Sequence, residues 1–301
     1  MRFHYNFSIL VNRMGNWMAR KTLLIGCFII SSIVVKAQHY TTTGDFDRIS
    51  KASFGLGVNT YFGDLKGATD TNLQAGLSAT LAYEHLFTDR LAIRASLSLY
   101  TIKAADSLST DREDINRNLS FKANNVEFVV QGLFYRFRHP YSGYKDRAFA
   151  NPYVHLGVGI TTNRPKAELA GTEFLLRPLR LEGVDYGSVA LVIPVGIGVN
   201  IFINRYVDLQ LEAQYTLALT SYLDDVSGNY RDPSSFVEPE AMQLSDRRVE
   251  LGFDPAAAGD PRGNGGGNDS YLRVGFRLGY YLPKSLYGKS SIRCKVTKKT
   301  R

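Results

Sequence analysis

The sequence predicts an all-β fold, namely an eight-stranded antiparallel transmembrane β-barrel with long outer loops. Three observations lead to this prediction: a secretion signal at the N-terminus, stretches in which apolar and polar residues alternate, and an almost entirely aliphatic face on those stretches. The chain has 301 residues, of which 44% are hydrophobic and 12% aromatic. Such a composition excludes a disordered chain, and the single long apolar run excludes a helical protein with several membrane spans.

The N-terminus has the features of an exported protein. Arg20 and Lys21 precede an apolar stretch of secretory length, and Ala37 followed by Gln38 fits the small-residue rule of a cleavage site. We therefore expect a signal peptide over residues 1–37. The apolar stretch is short for a transmembrane helix and polar residues follow it, which favours cleavage over anchoring.

The sequence leaves two alternatives open within this signal. The residues before the basic pair exceed an ordinary signal peptide, so Met14 and Met18 are candidates for the true start. The segment that ends in Cys27 resembles a lipobox, but only five residues separate Lys21 from Cys27, so we favour secretion without lipidation. After cleavage Cys294 is the one remaining cysteine, and an internal disulfide is excluded.

After a short lead over residues 38–52, the chain alternates between apolar and polar residues in eight stretches. In residues 207–220, for example, the odd positions are mostly aliphatic and the even positions mostly polar. Period-two alternation predicts β-strands, and an even number of strands is typical of single-chain outer-membrane barrels. The predicted barrel extends over residues 53–282, with strands at 53–62, 73–86, 91–102, 121–137, 152–162, 189–201, 207–220 and 271–282.

The aliphatic face of these strands is predicted to contact lipid. It carries no charge in the last three strands, where Ile197, Leu211 and Phe276 are representative, and the opposite face is rich in Gly, Ser and Thr. A solvated sheet surface would instead carry frequent Lys and Glu. The alternative is a soluble barrel or sandwich, which would bury the aliphatic face. Aromatic residues near strand ends predict an interfacial girdle, formed by Tyr61, Phe62, Tyr83, Phe87, Tyr100, Phe137, Tyr153, Phe202, Tyr206, Tyr222 and Tyr281.

Charged residues on the inward face predict a polar network in the lumen. An eight-stranded barrel has an interior only wide enough for its own side chains. Buried charges without partners are costly, so we expect these residues to pair across a plugged lumen. The alternative is a conduction path, which the narrow diameter disfavours. The predicted network comprises Glu84, Arg94, Glu127, Asp208, Glu212, Arg273 and Arg277.

The lengths of the connections predict the orientation of the barrel. Two links are tight turns, at 88–90 and 204–205, and long outer loops with short periplasmic turns are the expected asymmetry. On the periplasmic side, the fourteen-residue link 138–151 and the basic tail 283–301 are exceptions, and we interpret both as candidate contact regions. The predicted outer loops, mostly long and polar, are 63–72, 103–120, 163–187 and 221–269.

No residue pattern predicts catalysis or a cofactor. The strand histidines, His85 and His155, are expected at the periplasmic interface, and no serine is placed by sequence for activation by either one. Asp224 and Asp225 open the longest loop and have the chemistry to hold a cation, but their spacing is not that of an EF-hand loop. A hydrogen-bonded turn is the simpler interpretation of this acidic pair.

The net charge of +8 does not indicate nucleic-acid binding. Residues 1–37 carry five Lys or Arg and no acidic residue, and residues 283–301 carry seven and none, which leaves −4 for residues 38–282. The body of the protein is therefore mildly acidic. A basic face that would follow a phosphate backbone is not predicted.

Five short segments of the predicted barrel occur in the same order as similar segments in one known family. Together they resemble the Bacteroidetes outer-membrane β-barrel family that includes the type IX secretion component PorG. The likeness covers about residues 50–282, nearly the whole mature chain. The segments are Tyr61-Phe62-Gly63-Asp64-Leu65, Arg117-Asn118-Leu119-Ser120-Phe121 with Glu127, Pro165-Lys166-Ala167-Glu168, Ile193-Pro194-Val195-Gly196-Ile197-Gly198 and Tyr222-Leu223-Asp224-Asp225-Val226-Ser227-Gly228.

The resemblance implies a non-enzymatic anchor or assembly subunit of a type IX-like protein secretion system, in the outer membrane of a Gram-negative bacterium. It implies contact with outer-membrane lipid and with periplasmic PorK/PorN-like ring proteins, and it implies no catalytic residues. The family also contains members outside that machine. Two alternatives of other classes are a free-standing barrel whose long outer loops bind a surface ligand, and an outer-leaflet lipid enzyme.

Overall fold

Eight long antiparallel strands close into a barrel in the computed structural model, which describes residues 50–65, 74–137, 149–204, 206–263 and 267–282. Consecutive barrel strands pair with each other, and the last strand returns to pair with the first. The predicted eight-stranded antiparallel barrel is therefore confirmed. The barrel strands are β1 (Ser50–Phe62), β2 (Gly76–Leu86), β3 (Leu91–Ala105), β4 (Ser120–Tyr135), β5 (Ala150–Thr162), β8 (Val189–Phe202), β9 (Val207–Ala218) and β10 (Ser270–Tyr281).

A short hairpin extends the barrel wall beyond its rim. Its strands are β6 (Pro165–Leu169) and β7 (Thr172–Leu175), and β6 pairs with the start of β4. Ala170 and Gly171 form the tip, with φ angles of 50° and 82°. Positive φ at both central residues is what a two-residue hairpin turn needs to match the right-handed twist of its strands.

The outer wall of the barrel is apolar, and the soluble alternative is wrong. Leu211 is 47% exposed, Phe276 44% and Ile197 63%, whereas the inward Gln210 and Asn200 are fully buried. A wall of this kind needs an apolar surrounding, which a bilayer provides. Each barrel strand contributes to it; representative exposed side chains are Leu56, Leu81, Leu97, Phe128, Leu156, Ile197, Leu211 and Phe276.

The aromatic girdle is only partly where the sequence predicted it. The exposed members, all at the end with the short turns, are Tyr83, Phe87, Phe137 and Tyr206. The members that are instead buried are Tyr61, Tyr100, Tyr153, Phe202 and Tyr281. Successive side chains of a strand point to opposite faces. These five lie on the same face of their strands as the inward polar residues, so they point away from lipid.

Short turns close one end of the barrel. Before β9 the Oδ1 atom of Asn204 accepts the backbone N–H of Val207 at 2.9 Å, a side-chain hydrogen bond that fixes a tight turn. The described chain also begins and ends here, where the N–H of Leu282 donates to the Ser50 oxygen at 2.9 Å. Several predicted features lie wholly or mostly outside the described residues, namely the signal peptide 1–37 with its cleavage site at Ala37 and Gln38, most of the lead 38–52, the link 138–151 and the tail 283–301.

The long loops pack together at the opposite end, and we call their described residues within 63–75, 106–119, 163–188 and 219–269 the outer cap. The cap contains the helices α1 (Arg112–Arg117), α2 (Leu176–Leu179) and α3 (Pro239–Ser245). Its buried apolar residues form one cluster with inward residues of the strand ends, which closes this end of the barrel. Among the described residues, no helix combines the length and apolar character needed to cross a bilayer. The cap residues of the cluster include Leu65, Leu119, Leu176, Leu181, Leu223, Val226 and Leu244.

Candidate functional site

A polar network fills the lumen, and the structure places all seven predicted charged residues in it. Arg94 joins two of the carboxylates: its Nη1 atom is 2.6 Å from Glu212 Oε2, and its Nη2 atom is 3.1 Å from Glu84 Oε2. Arg277 pairs with the other oxygen of Glu212. All four side chains are more than nine-tenths buried. Paired, charge-assisted hydrogen bonds of this kind offset the cost of removing each charge from water.

A second group of pairs lies nearer the outer cap. The Nη1 atom of Arg273 is 3.0 Å from Glu127 Oε1, and the Tyr271 hydroxyl donates to the other oxygen of that carboxylate. The Nε atom of Arg273 also donates to Asn59 Oδ1 at 3.1 Å. The guanidinium lies 5.3 Å from the centroid of the Tyr100 ring, a distance at which the ring face attracts a cation.

Lys51 is a member of the network that the sequence analysis missed. Its Nζ atom is 3.0 Å from Asp208 Oδ2 and 3.3 Å from Glu84 Oε1. The prediction began the first strand at residue 53, although the period-two alternation extends back to Lys51 and places its side chain inward. With Lys51 included, four cations face four carboxylates in the described lumen, so these formal charges balance.

Tyrosine hydroxyls complete the hydrogen bonding of the lumen carboxylates. Tyr135 donates to Glu84 Oε1 at 2.5 Å, and Tyr153 donates to Glu212 Oε2 at 2.8 Å. Tyr281 donates to Asp208 Oδ2 at 2.8 Å. Tyrosine suits this position because its ring fills volume while its hydroxyl satisfies a buried acceptor.

Two inward glycines make room for the largest lumen side chains. A Cβ atom at Gly198 would lie 2.4 Å from Cζ of Tyr153, and one at Gly196 would lie 2.4 Å from Nε2 of His155. Neither distance is compatible with van der Waals contact. The Gly-rich inward face of β8 therefore accommodates rings that project from β5.

The structure separates the two strand histidines. His85 lies at the end of the barrel with the short turns, where its Nδ1 atom is 2.9 Å from the Ser50 hydroxyl. His155 is not interfacial: it is 2% exposed and faces the lumen, with Nδ1 3.0 Å from Gln131 Nε2 and Nε2 3.7 Å from Glu212 Oε2. The prediction for His155 was wrong because Tyr153 and His155 share the inward parity of β5.

Two arginines connect the four loops of the outer cap. Arg117 Nε is 2.7 Å from Asp106 Oδ2, and Arg117 Nη2 donates to the backbone oxygen of Asp64 at 2.9 Å. Arg117 Nη1 donates to the backbone oxygen of Arg262 at 3.0 Å, and Arg262 pairs with Glu182 at 3.0 Å. The cap thus has a polar framework in addition to its apolar cluster.

Asp224 and Asp225 are buried in this framework and have different partners. Asp224 Oδ2 accepts the backbone N–H of Leu65 at 3.3 Å, whereas Asp225 Oδ1 accepts the Tyr186 hydroxyl at 2.5 Å. Burial raises the pKa of Asp225 to about 6. Within the described residues no group of three His, Cys, Asp or Glu side chains is arranged to hold a metal ion. Asp224 Oδ1 also accepts the N–H of Val226 at 2.9 Å, the local bond of a turn, while the other two bonds tie the pair to neighbouring loops.

A third buried carboxylate, Asp269, joins the acidic pair in the cap. The Tyr61 hydroxyl donates to its Oδ1 atom at 2.5 Å, and the N–H of Leu223 donates to its Oδ2 atom at 2.8 Å. Burial raises the pKa of Asp269 to about 7. Burial, followed by repulsion from Asp269, raises the pKa of Asp224 well above its ordinary value. The two neighbouring carboxyls therefore retain protons at a higher pH than exposed aspartates do.

No protein-family model matches the sequence, and no curated protein matches it. Three solved structures similar to this chain are Neisserial surface protein A, OprG of Pseudomonas aeruginosa and the outer-membrane enzyme PagL. The identities are 10%, 10% and 10%, and the TM-scores are 0.40, 0.36 and 0.31. The alignments cover 77%, 78% and 77% of this chain and 97%, 98% and 99% of the respective structures.

The closed sheet, the apolar wall and the asymmetric connections define the class of this protein. It is an eight-stranded β-barrel of the outer membrane of a Gram-negative bacterium, with short turns at one end and long loops at the other. Its lumen is occupied by paired side chains, and the outer cap packs over the end with the long loops.

Proposed function

We propose that this barrel is a non-enzymatic anchor or assembly subunit of a type IX-like protein secretion system. The observation that carries the proposal is the filled lumen, in which charged side chains such as Arg94 and Glu212 pair across the barrel. A lumen occupied in this way favours attachment over transport, because a conduction path would require these pairs to separate. The functional surfaces are then the two ends of the barrel.

Four of the five segments that carry the family resemblance support this proposal because they meet at the outer cap, whereas the fourth, residues 193–198, lies within β8. The N–H of Leu65 donates to Asp224, which joins the first segment to the last. Arg117 donates to the backbone oxygen of Asp64, which joins the first segment to the second. Ala167 of the third segment belongs to the same apolar cluster. These four segments thus supply contacts that hold the loops together at this end of the barrel.

The partners that we propose are periplasmic ring proteins of the PorK/PorN kind. The lengths of the connections favour a periplasmic position for the short-turn end. The link 138–151 and the basic tail 283–301 both follow strands that end on that side. A ring on this side would be held to the membrane by the barrel. The resemblance supports this arrangement together with the orientation of the strands.

Deletion of the gene tests the secretion role. Without the barrel, we expect cargo proteins with C-terminal sorting domains to accumulate in the periplasm, and the full chain supplied in trans should restore their secretion. The readout is the cargo in the medium and in the periplasm. Normal secretion in the deletion strain would remove the anchor proposal and leave the free-standing barrel.

Affinity purification from detergent-solubilised outer membrane tests the partners. We expect periplasmic ring proteins to copurify with the tagged chain, and to be lost when residues 138–148 are replaced by a Gly/Ser linker of equal length. A linker inserted between Ala170 and Gly171, at the opposite end, is the matched control and should leave copurification unchanged. Equal recovery from both variants would exclude the link as the contact.

Lipid chemistry is not part of this proposal. His155, a candidate for a general base by residue type, is bonded to Gln131 inside the lumen and is 2% exposed. A lipid-processing group must reach the lipid that surrounds the wall. His155→Ala is therefore expected to leave the lipid A composition unchanged, as measured by mass spectrometry of extracted lipid. An altered composition would reopen the enzymatic alternative.

A further inference from the structure

A groove in the outer cap is not used by the anchoring role. It lies between α3 and two short 3₁₀ segments, Pro233–Ser235 and Arg248–Leu251, and has a volume of about 250 Å³. That volume is slightly below the range of pockets for drug-sized ligands and suits one or two amino-acid side chains. Its apolar lining residues are Pro233, Phe236, Met242, Val249, Pro255 and Ala256.

Large apolar side chains are exposed in the loop that forms this groove. Val237 is 97% exposed and Phe253 46%, and Leu251, Met242 and Val249 are also exposed. These residues belong to the outer cap and not to the strands of the lipid-facing wall, so the bilayer does not explain their exposure. Contiguous exposed apolar surface with polar residues around it marks an interaction site on a protein.

The charged residues of the same loop leave an acidic excess beside the groove. Arg247 Nε is 3.0 Å from Glu250 Oε1, and Arg248 Nε is 3.2 Å from Asp246 Oδ1, so these two cations are matched. Three exposed acidic residues, Glu238, Glu240 and Asp254, lie within two positions in sequence of the lining residues Phe236, Met242 and Pro255. Within the described part of the chain, their side chains have no ion-pair or hydrogen-bond partner.

One further cation borders the groove and is already engaged. Arg231 Nη1 donates to the backbone oxygen of Arg180 at 3.1 Å, and its guanidinium lies 5.0 Å from the centroid of the Phe236 ring. Both contacts are to uncharged groups, so Arg231 keeps its positive charge, and three acidic side chains against this one cation still leave an acidic excess. An occupant that presents positive charge beside an apolar group complements this surface.

We propose that the groove binds a polypeptide segment of another molecule, with one or two large apolar side chains flanked by Lys or Arg. The apolar side chains enter the groove, and the flanking cations face Glu238, Glu240 and Asp254. We take a separate molecule as the occupant, because β1 begins and β10 ends at the opposite end of the barrel. Anionic lipid headgroups are disfavoured by the acidic side chains.

Binding of labelled tetrapeptides to the full chain in detergent micelles tests this proposal. The probes are fluorescein-labelled Lys-Leu-Phe-Lys, the acidic Glu-Leu-Phe-Glu and the polar Lys-Ser-Ser-Lys, followed by fluorescence anisotropy. We expect the first peptide to bind at least about tenfold more tightly than either of the others, because only it matches both the apolar groove and the charge. Its affinity should also fall as salt is added.

Variants separate the groove from the rest of the cap. Met242→Glu introduces a charge into the apolar lining and should weaken binding about tenfold or more, whereas Leu108→Glu, on another loop of the cap, should leave it unchanged. Glu238→Gln combined with Glu240→Gln should weaken binding and reduce its salt dependence. Equal affinity for the acidic peptide, equal effects of Met242→Glu and Leu108→Glu, or no binding by any peptide would each overturn the proposal. Migration on a gel before and after boiling verifies that each variant is folded.

Discussion

Arg94 is the residue on which the lumen network depends most. It is fully buried and contacts Glu84 and Glu212, so its removal leaves two carboxylates without their shared cation. We expect Arg94→Met to lower the free energy of unfolding by about 3–5 kcal/mol, because uncompensated buried charges are strongly destabilising. Urea unfolding of the barrel in detergent micelles measures this change.

A charged residue elsewhere on the same strand provides the control. Lys103 is on β3 with its side chain exposed, so Lys103→Met should change the free energy of unfolding by no more than about 0.5 kcal/mol. A loss in Lys103→Met as large as that in Arg94→Met would mean that the pairing in the lumen is not the cause.

Gly198 is a second residue with a specific role, because it leaves space for the Tyr153 ring. We expect Gly198→Ala to destabilise the barrel by about 1–3 kcal/mol, since its Cβ atom would lie 2.4 Å from the ring and would displace the Tyr153 hydroxyl from Glu212. Adding Tyr153→Ser to Gly198→Ala should cost less than the two single effects combined. Strict additivity in urea unfolding would contradict the steric explanation.

Parity along the strands explains which residues could be assigned from the sequence. The seven charges were placed in the lumen because they alternate with aliphatic residues, and Tyr271 and Tyr281 have the same parity as Arg273 and Arg277. Tyr281 was nevertheless predicted in the girdle, because tyrosine is also common at membrane interfaces. The position of a tyrosine near a strand end is decided by parity and by an available carboxylate, and only the parity is visible in a sequence.

At the scale of elements, the outer cap is predicted to respond to pH. Asp269 has a pKa of about 7 in the folded cap, compared with about 3.9 for an unperturbed aspartate. Because the folded cap binds this proton more tightly, the contribution of Asp269 to the stability of the cap is fully present below about pH 4 and is lost as the pH rises through 7. We expect the Leu223 amide, which donates to Asp269, to lose protection by about tenfold or more between pH 5.5 and pH 8.5. Hydrogen exchange, corrected for the intrinsic pH dependence of the rate, measures this loss.

Two substitutions test the origin of this pH response. Asp269→Asn keeps a neutral side chain at every pH and should reduce the difference between pH 5.5 and pH 8.5. Asp232→Asn is the control, because Asp232 is exposed and its pKa is lowered by hydrogen bonds from Ser234, so it titrates below this window. If the pH response persists unchanged in Asp269→Asn, then the titrating group is not Asp269 but Asp224, Asp225 or another residue.

The strands and the cap differ in how far the sequence could predict them. Period-two alternation identified every barrel strand, because each strand has one face toward lipid and one toward the lumen. The cap has no such repeat: Leu65, Leu119 and Leu223 come from three loops and meet only in the folded chain. Its salt bridges, such as that between Arg262 and Glu182, connect residues far apart in sequence and leave no local pattern.

At the scale of the whole molecule, the barrel is predicted not to conduct ions. An ion that crossed the barrel would have to pass both the paired charges of the lumen and the packed outer cap. Reconstitution into planar bilayers should therefore give no stable current steps under conditions in which a porin, as the positive control, gives them. Current steps proportional to the applied voltage would contradict this prediction if the purified protein is folded, as judged by a change in gel migration on boiling.

The tip of the β6–β7 hairpin is a suitable position for an inserted epitope that tests the orientation of the barrel in intact cells. Ala170 and Gly171 are exposed, and no atom lies within 4 Å of the Cβ position at Gly171, so an epitope inserted between them would disturb neither the wall nor the cap. Antibody staining of unbroken cells would then report which compartment this tip occupies. We expect surface labelling without permeabilisation, and staining seen only after permeabilisation would invert the assigned orientation.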